Sequence, residues 1–331
     1  MKAKAILFAG IGKVEIGSVL IPDPGPGEVL IKAEASCVSP GTELRCLTGR
    51  QDNMPAFPFI PGYTLTGRVI GRGPGATLKD GTLVFCAGTT QSDVNRLWGA
   101  HVSHAVKAEH DVIALPDGTD PVDASLAQLG AISYHGVRLG KPLPHETVAV
   151  IGLGPIGMLS ARLHAASGAR VVAADLSPER VALAKKSGIE AFAPRGSLRA
   201  AYAEVIPDGA DIVVDSTGAP PVLADAAAIA RDKAWGPEPV GGARLVIQGS
   251  YATDAKPCFP HRDVFMKELV TLMPRSENKV DYLAVIDLVR RGKVMLRDLA
   301  GTPHKPEDAP EVYRDLGASK GTMLTAVFTW S

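Results

Sequence analysis

Hydrophobic and polar positions fall into two regimes along this chain. Up to about residue 118, short apolar runs of strand length are bounded by Gly and Pro: Ala3 to Phe8, Val29 to Ala35, Leu65 to Ile70, Thr82 to Phe85 and His101 to Val106. That rhythm predicts an all-β unit, a partly open barrel. Pro22-Asp-Pro-Gly-Pro-Gly27 is a turn cluster whose part is to restrict the backbone. From Asp117-Gly-Thr-Asp-Pro121 onward helical and strand patterns alternate, the mark of a parallel sheet built from βαβ units. After an apolar run at Thr147 to Ile151, strands are predicted at Val171 to Asp175, Asp211 to Asp215, Ala243 to Gly249 and Lys267 to Met273, with helices over 178–186, 221–230 and 280–290. Thr322 to Trp330 reads as one more strand, most simply returned to the N-terminal barrel. Asp232 to Gly242 interrupts a helix and its strand for longer than connections in α/β units usually do, as an interface, a lid or, most simply, a surface excursion.

The run at Thr147 turns at Gly152, Gly154 and Gly157 into an amphipathic helical pattern and so reads as strand, phosphate turn and helix, with Pro155 and Ile156 completing the turn. In a GxGxxG turn the first Gly permits the tight bend, the second lets backbone approach a pyrophosphate, and the third lets the helix pack closely on the strand. The helix presents unpaired N–H groups and its positive dipole end to the anion. Glycine-rich turns also occur for conformational reasons alone. Here the next strand pattern ends in Asp175, eighteen residues after Gly157. An acid there can accept both ribose hydroxyls of an adenosine and repels a 2′-phosphate. Together the two predict a bound dinucleotide, NAD rather than NADP. Ser216 and Gly249 end the later strand patterns, where a doubly wound sheet holds its ligand.

Composition narrows the partners. A chain of 331 residues suits two domains better than one core. Lys plus Arg equals Asp plus Glu at 35 each, so no global field recruits nucleic acid or an anionic membrane. Cys37, Cys46, Cys86 and Cys258 are scattered without a CxxC pair, so neither a disulfide framework nor a structural zinc lobe is suggested, and a reducing cytoplasm fits. The first ten residues carry an apolar run too short for a signal peptide, and no later run approaches the ~20 apolar residues of a membrane span. The expectation is a soluble cytoplasmic protein acting on a small molecule.

The β unit, the glycine turn, Asp175 and the returning strand resemble the medium-chain dehydrogenase/reductase superfamily over essentially the whole chain. Matching segments are Gly25-Pro-Gly-Glu-Val-Leu-Ile31, Ile60-Pro-Gly62, Asp175-Leu-Ser-Pro-Glu-Arg180, Gly241-Gly-Ala-Arg-Leu-Val246 and Pro306-Glu-Asp-Ala-Pro310. The resemblance implies an α/β protein: a GroES-like β-barrel catalytic domain plus a doubly wound parallel-sheet Rossmann domain, with the active site in the cleft between them. Residues 1–128 and 274–331 would form the first domain and 129–273 the second. It also implies a homodimer through the edge of the Rossmann sheet.

Well-known members hold a catalytic zinc, and this chain departs at each ligand position. Their Cys-Gly-Thr-Asp appears as Ser39-Pro-Gly-Thr-Glu43, their Gly-His-Glu as Gly62-Tyr63-Thr64, and Ala127-Gln128 stands where a Cys or Glu is expected before Gly130-Ala131. Zinc takes about three or four converging N, S or carboxylate ligands, so a zinc-independent enzyme with no metal site is expected. Within the superfamily, Ser39 to Glu43, Phe57 to Tyr63, Ser133-Tyr-His135, Phe259-Pro and Phe265-Met-Lys-Glu268 are most similar to the hydroxyethyl-bacteriochlorophyllide dehydrogenase branch. That branch oxidises a secondary alcohol to a ketone on a chlorin side chain with NAD; a related dehydrogenase acting on another alcohol is equally implied.

Removing a hydride from an alcohol carbon also requires an acceptor for the hydroxyl proton and stabilisation of alkoxide character. The resemblance places Ser39, Thr42 and Tyr63 in the emptied zinc pocket. Tyr63 is expected to be the main hydrogen-bond partner and proton acceptor, with Ser39 and Thr42 orienting the hydroxyl and relaying its proton toward the ribose; the alternative is that Tyr63 fills the volume the metal left. His135 is a secondary base candidate, since imidazole titrates near neutral pH, against a packing role. Glu43 either binds a substrate hydroxyl or caps locally, and Arg45 either meets a phosphate or acidic substrate or is solvated. By resemblance Arg180 sits beside the adenosine; it could equally make surface ion pairs. Cys37 and Cys46 read as buried small thiols, and Asp211 and Asp215 as structural. Phe57, Phe59, Trp98 and Trp235 could line a cleft for a planar ring system or be scattered aromatics.

The leading function is an NAD-dependent, zinc-free dehydrogenase of a secondary alcohol. A zinc-free reductase of activated double bonds or quinones is the chemical alternative, disfavoured by Asp175 because such relatives usually take NADPH. A non-catalytic cofactor-binding protein is the third reading, disfavoured by the retained hydroxyl cluster.

Overall fold

A computed structural model describes residues 1–233, 241–251, 255–256, 258–275, 277–318 and 323–330. Most of the Asp232 to Gly242 interruption, with Trp235, and Thr322 at the start of the expected last strand lie outside the described residues. The chain divides into two compact units, Met1–Gln128 with Met295–Ser331, and Leu129–Val294. The second break therefore falls at Val294 and not at residue 273, and the physical reason is local. The helix over 279–290 packs within the second unit: a Cβ on Gly130 would come within 2.6 Å of Val285, and Asp281 is gripped by Arg138 at 2.7 Å.

In the first unit, β1 (Lys2–Gly10) and β2 (Lys13–Leu20) form an antiparallel hairpin. They are followed by β3 (Glu28–Cys37), α1 (Pro40–Leu47), β4 (Phe59–Ile60), β5 (Thr64–Arg72), β6 (Leu83–Cys86), β7 (Asn95–Arg96), β8 (His104–Ala108) and β9 (Ile113–Ala114). The alternation that marks β3 in the sequence is physical: Val29, Ile31 and Ala33 are buried while Lys32 between them is exposed, as one pleat face packs on the core. His101 begins no strand; β8 starts at His104.

The helix α2 (Pro121–Gly140) starts at Asp120, whose carboxylate accepts the backbone N–H of Val122 and Asp123, an N-cap. Next come β10 (Thr147–Ile151), α3 (Pro155–Ala166), β11 (Arg170–Ala174), α4 (Pro178–Lys186), β12 (Glu190–Phe192), α5 (Leu198–Val205), β13 (Ile212–Asp215), α6 (Val222–Ile229), β14 (Arg244–Ile247), α7 (His261–Met266), β15 (Val270–Leu272) and α8 (Lys279–Arg290). The six strands are parallel, in the order β12-β11-β10-β13-β14-β15, the order of a doubly wound dinucleotide fold. Val148 to Ile151 in β10 and Ile212 to Val214 in β13 are uninterrupted apolar runs, all buried, as expected where helices cover both faces of such a sheet. The last strand is shorter than the run Lys267 to Met273: Lys267 stands outside it, its ammonium donating to the carbonyl of Ala228 at 2.9 Å.

The chain then returns to the first unit with α9 (Ala309–Gly317) and β16 (Val327–Thr329). β16 pairs antiparallel with β3, Val327 opposite Cys37, so the closing strand joins the barrel. Tyr313 from α9 and Phe328 from β16 enter the core around Phe8 and Phe59.

Candidate active site

Two clusters carry the chemistry, one in each unit. In the second unit the turn between β10 and α3 meets the demands the glycines imply. Gly152 has φ +87°, a left-handed conformation that favours glycine. A Cβ on Gly157 would lie 1.8 Å from the Gly152 carbonyl oxygen, so helix and turn touch through that position. Gly154 differs from both: its φ is −63° and a Cβ there would meet nothing within 4 Å. Packing leaves Gly154 free, and what keeps it bare is room beside the helix start. It is the N-cap of α3, with Pro155 in the first turn and no side-chain cap, so the early N–H groups are left for an anion. Ile156 faces inward through its carbonyl, which accepts the Ser133 hydroxyl at 3.0 Å.

Asp175 follows β11. One carboxylate oxygen accepts the Leu153 backbone N–H at 2.6 Å and the other that of Ser177 at 2.8 Å. Arg180 stands 3.7 Å from it, so the ion-pair reading of Arg180 is realised on the expected acid. Each carboxylate oxygen has a second lone pair for a hydroxyl. Ser216, after β13, has its Oγ buried with no partner among the described residues, and it lies against Gly157, where a Cβ would approach the serine Cβ to 3.1 Å. Gly249 is pressed against the backbone of Gly218, 2.4 Å from where its Cβ would be. An unfilled hydroxyl and a bare Gly154 at the C-terminal end of a parallel sheet fit a pyrophosphate dinucleotide.

The sequence reading passed over Tyr251. Its hydroxyl donates to the buried carboxylate of Asp215, which also takes the N–H and hydroxyl of Thr217 at 2.9 and 2.7 Å. Burial and that carboxylate push the Tyr251 phenol well up.

In the first unit, Ser39 is the N-cap of α1, and Thr42 Oγ1 sits 2.8 Å from the Tyr63 hydroxyl. Of the three predicted hydroxyls, Thr42 and Tyr63 are joined directly, and Ser39 stands at the start of the helix that carries Thr42. Burial raises the Tyr63 phenol above its ordinary value; Thr42 and Ser39 pull it down, Glu43 adds to the rise, and Arg45 lowers it. Tyr63 is therefore a neutral O–H donor near pH 7. Arg45 is not merely solvated: its Nε donates to Gln51 at 3.0 Å and its Nη2 reaches Thr42 at 3.4 Å. Trp98 lies edge-on to Tyr63, ring centroids 4.3 Å apart, and has a left-handed φ of +61°. Phe59 lies in the core with Phe57 stacked on it at 5.2 Å, so those two pack on each other.

The donors near this group do not suit zinc. Cys37 keeps its proton, since burial drives its pKa far up and the thiol donates to the Val38 carbonyl; Cys46 is pushed up to about 12 by burial. Thr64 spends its hydroxyl on the Ser125 carbonyl at 2.8 Å, and Ala127 has no donor. Glu43, the one carboxylate, has both oxygens engaged by Ser39, His101 and Tyr313, so of its two sequence readings it takes local capping. Among the described residues no three His, Cys, Asp or Glu side chains converge as metal ligands would.

His135 belongs to the second unit. Its Nδ1 lies 3.2 Å from Asp281, which Arg138 also grips; the imidazole is thus part of an ion cluster joining α2 to α8. His101, Tyr313, Ser36 and Trp330 were not singled out from the sequence: Ser36 and His101 are single polar positions among apolar neighbours, and Tyr313 and Trp330 read as ordinary aromatics.

A family model described as alcohol dehydrogenase GroES-like domain matches residues 25–117, and one described as zinc-binding dehydrogenase matches residues 155–290. The chain is 25% identical over 323 residues to the 2-desacetyl-2-hydroxyethyl bacteriochlorophyllide A dehydrogenase of Cereibacter sphaeroides, covering 95% of this chain and 94% of that protein. It is 28% identical over 299 residues to L-galactonate-5-dehydrogenase of Escherichia coli, covering 83% of each. Its fold superposes on 2R,3R-butanediol dehydrogenase from Bacillus subtilis with a TM-score of 0.85, at 22% identity and 99% coverage of both chains.

Proposed function

The chain belongs to the medium-chain dehydrogenase/reductase superfamily, and on that premise we propose that it is a zinc-independent, NAD-dependent oxidoreductase interconverting a secondary alcohol and a ketone. The carrying observation is the 2.8 Å contact between the Thr42 and Tyr63 hydroxyls, in the stretch where the resemblance puts the metal pocket of relatives.

NAD, when bound, supplies the hydride acceptor. The residues that would hold it are the turn Gly152, Gly154, Pro155, Ile156 and Gly157, with Asp175, Arg180, Ser216 and Gly249. Asp175 favours ribose hydroxyls, and its charge opposes a 2′-phosphate; that supports NAD over NADP.

Tyr63, held neutral, donates its hydrogen bond to the substrate oxygen. In the ketone-to-alcohol direction the Tyr63 O–H bond breaks as the oxygen gains alkoxide character, and the proton ends on the product hydroxyl. Thr42, 2.8 Å away, gives its hydroxyl proton to the phenol oxygen and takes one in return from the ribose side, where the relay ends in solvent water, with Ser39 helping to orient the substrate hydroxyl. In the oxidising direction the same protons run backward, and no free phenolate is needed. Catalysis by a positioned acid of this kind is worth about 10²- to 10⁴-fold. His135 is a secondary candidate for proton transfer.

The bacteriochlorophyllide relative supports a cyclic or chlorin-bearing substrate; the galactonate relative supports a smaller polyol. The homodimer through the sheet edge and the cytoplasmic location rest on resemblance and composition. No described helix is long and apolar enough to cross a membrane.

Purified protein assayed with NAD and NADP against secondary alcohols, ketones and enones tests the reading. Turnover of a secondary alcohol with NAD is expected. Reduction of enones with NADPH alone would replace it with the double-bond reductase reading, and cofactor binding without turnover with the non-catalytic one. Stoichiometric zinc in active protein would remove the metal-free chemistry.

A further inference from the structure

Behind the hydroxyl group lies a second polar assembly, sealed from solvent. Ser36, Glu43 and His101 have no exposed surface and Tyr313 has 1%. The Trp330 indole N–H donates to Ser36 Oγ at 2.9 Å, Ser36 Oγ lies 2.8 Å from His101 Nδ1, and His101 Nε2 lies 3.1 Å from Glu43 Oε2. Tyr313 donates to the same carboxylate oxygen, and Glu43 Oε1 accepts the Ser39 backbone N–H at 2.7 Å.

The hydrogen positions follow from what each atom can do. An ionised carboxylate only accepts, so His101 carries its hydrogen on Nε2; Ser36 already accepts from Trp330 and can give its own hydrogen to the bare Nδ1. The chain runs in one direction, Trp330 to Ser36 to His101 to Glu43, and every member is satisfied. A buried carboxylate with three donors is stable only while all three stay in place.

Both ends of the hydroxyl group hang on it. Glu43 fixes Ser39 at the start of α1. His101 fixes the segment carrying Tyr63: its backbone N–H donates to the Pro61 carbonyl at 3.0 Å, and its ring lies so close under Gly62 that a Cβ there would meet it at 2.7 Å.

We propose that Glu43 and His101 are positioning residues, a buried dyad that holds Ser39 and Tyr63 in register so that their hydroxyls meet one substrate oxygen. The dyad touches neither substrate nor cofactor; it acts through the two backbones it grips. The proposal rests on the reading of Tyr63 as proton donor. The charged and titratable groups facing Tyr63 and the dyad are Glu43, Arg45, Cys37, Cys46 and Tyr313. Glu43 is the anion among them, and an anion nearby keeps a phenol protonated to higher pH.

Glu43→Gln tests it in the full-length protein, because an amide NH₂ cannot accept and must face one of the three donors. The expected result is a kcat lower by about 10- to 100-fold, the cost of a misplacement of about 1 Å. NADH affinity, read by fluorescence titration, stays within ~2-fold, since misplacement at the hydroxyls leaves the cofactor cradle of the other unit as it was. The alkaline limb of the kcat/KM profile moves to lower pH as the anion disappears. His101→Asn lowers kcat in the same way. If Glu43→Gln fails to fold, Tyr313→Phe removes one donor with little change of volume and is expected to give a smaller kcat loss with a displaced alkaline limb. Folded variants with unchanged kcat and pH profile, beside an impaired Tyr63→Phe enzyme, overturn the dyad's role. A Tyr63→Phe enzyme with full activity overturns instead the reading of Tyr63 on which it rests.

Discussion

The backbone N–H of Leu153 donates to Asp175 Oδ2 at 2.6 Å. The residue between the first two glycines of the turn is thus tied to the acid that ends the neighbouring strand, so the proposed pyrophosphate cradle and the proposed ribose acceptor are directly linked. Replacing the acid disturbs both functions at once. Asp175→Asn is expected to weaken NADH binding by roughly 10-fold or more, about 1.4 kcal/mol for each factor of ten. NADPH is expected to lose much less, because the repulsion of its 2′-phosphate is relieved. Fluorescence titration of both cofactors checks the ratio; equal losses would count against Asp175 as the selector.

Gly154 and Gly157 are predicted to separate binding from folding. A methyl at Gly154 meets no protein atom, so Gly154→Ala should leave Tm within a degree or two while raising the KM for NAD. At Gly157 the methyl collides with the Gly152 carbonyl, and overpacking of this kind costs about 1–3 kcal/mol. Thermal melts without and with NAD distinguish the two.

Tyr63→Phe keeps the ring against Trp98 and removes the hydroxyl that Thr42 meets at 2.8 Å. The expected loss in kcat is on the order of 10²-fold, with little change in cofactor affinity. Because burial holds the wild-type phenol above its ordinary value, the wild-type alkaline limb should lie above pH ~10 and vanish in the variant. Full activity of the phenylalanine enzyme would leave Tyr63 as a filler of space.

His164 in α3 is fully buried, its Nε2 has no partner among the described residues, and burial lowers its pKa from 6.5 to about 4. In the unfolded chain it binds a proton already near pH 6.5, whereas the folded chain resists protonation until about pH 4. Between those values the unfolded state holds more protons, so stability present above pH 6.5 is lost as pH falls toward 4, by an amount on the order of 3 kcal/mol for this one group. Denaturant melts across that range should show the loss, and His164→Leu should flatten it.

Chelation supplies a last check. Extended dialysis against a strong chelator is expected to leave activity and Tm unchanged, with metal analysis showing well under one zinc per chain. Loss of activity restored by zinc alone would show that a metal site forms after all.

The glycine-rich turn and most of the longer strands, β2 (Lys13–Leu20) excepted, were legible because each is written locally. Val29, Ile31 and Ala33 are buried in alternation with less buried neighbours, and GLGPIG with Asp175 carries its meaning in spacing. α5 and the two-residue strands β4, β7 and β9 were not legible, since segments that short have no period to read and owe their pairing to neighbours far along the chain. The final strand pattern was over-long at Lys267 because an apolar run does not say where a ladder ends.

The same division holds in the site. By itself the sequence determined that a glycine-rich turn follows an apolar run and that an acid ends the next strand, because residue type and spacing suffice for each; the reading of Ser39, Tyr63 and Ala127 as replacements of metal ligands came from the family resemblance. Only the tertiary structure decided that Thr42 and Tyr63 touch, that Glu43 faces inward, and that His101 and Tyr313, 58 and 270 residues from Glu43, complete its shell. A buried carboxylate is stabilised by whichever donors the folded core brings to it, and no local pattern announces donors drawn from three separate segments.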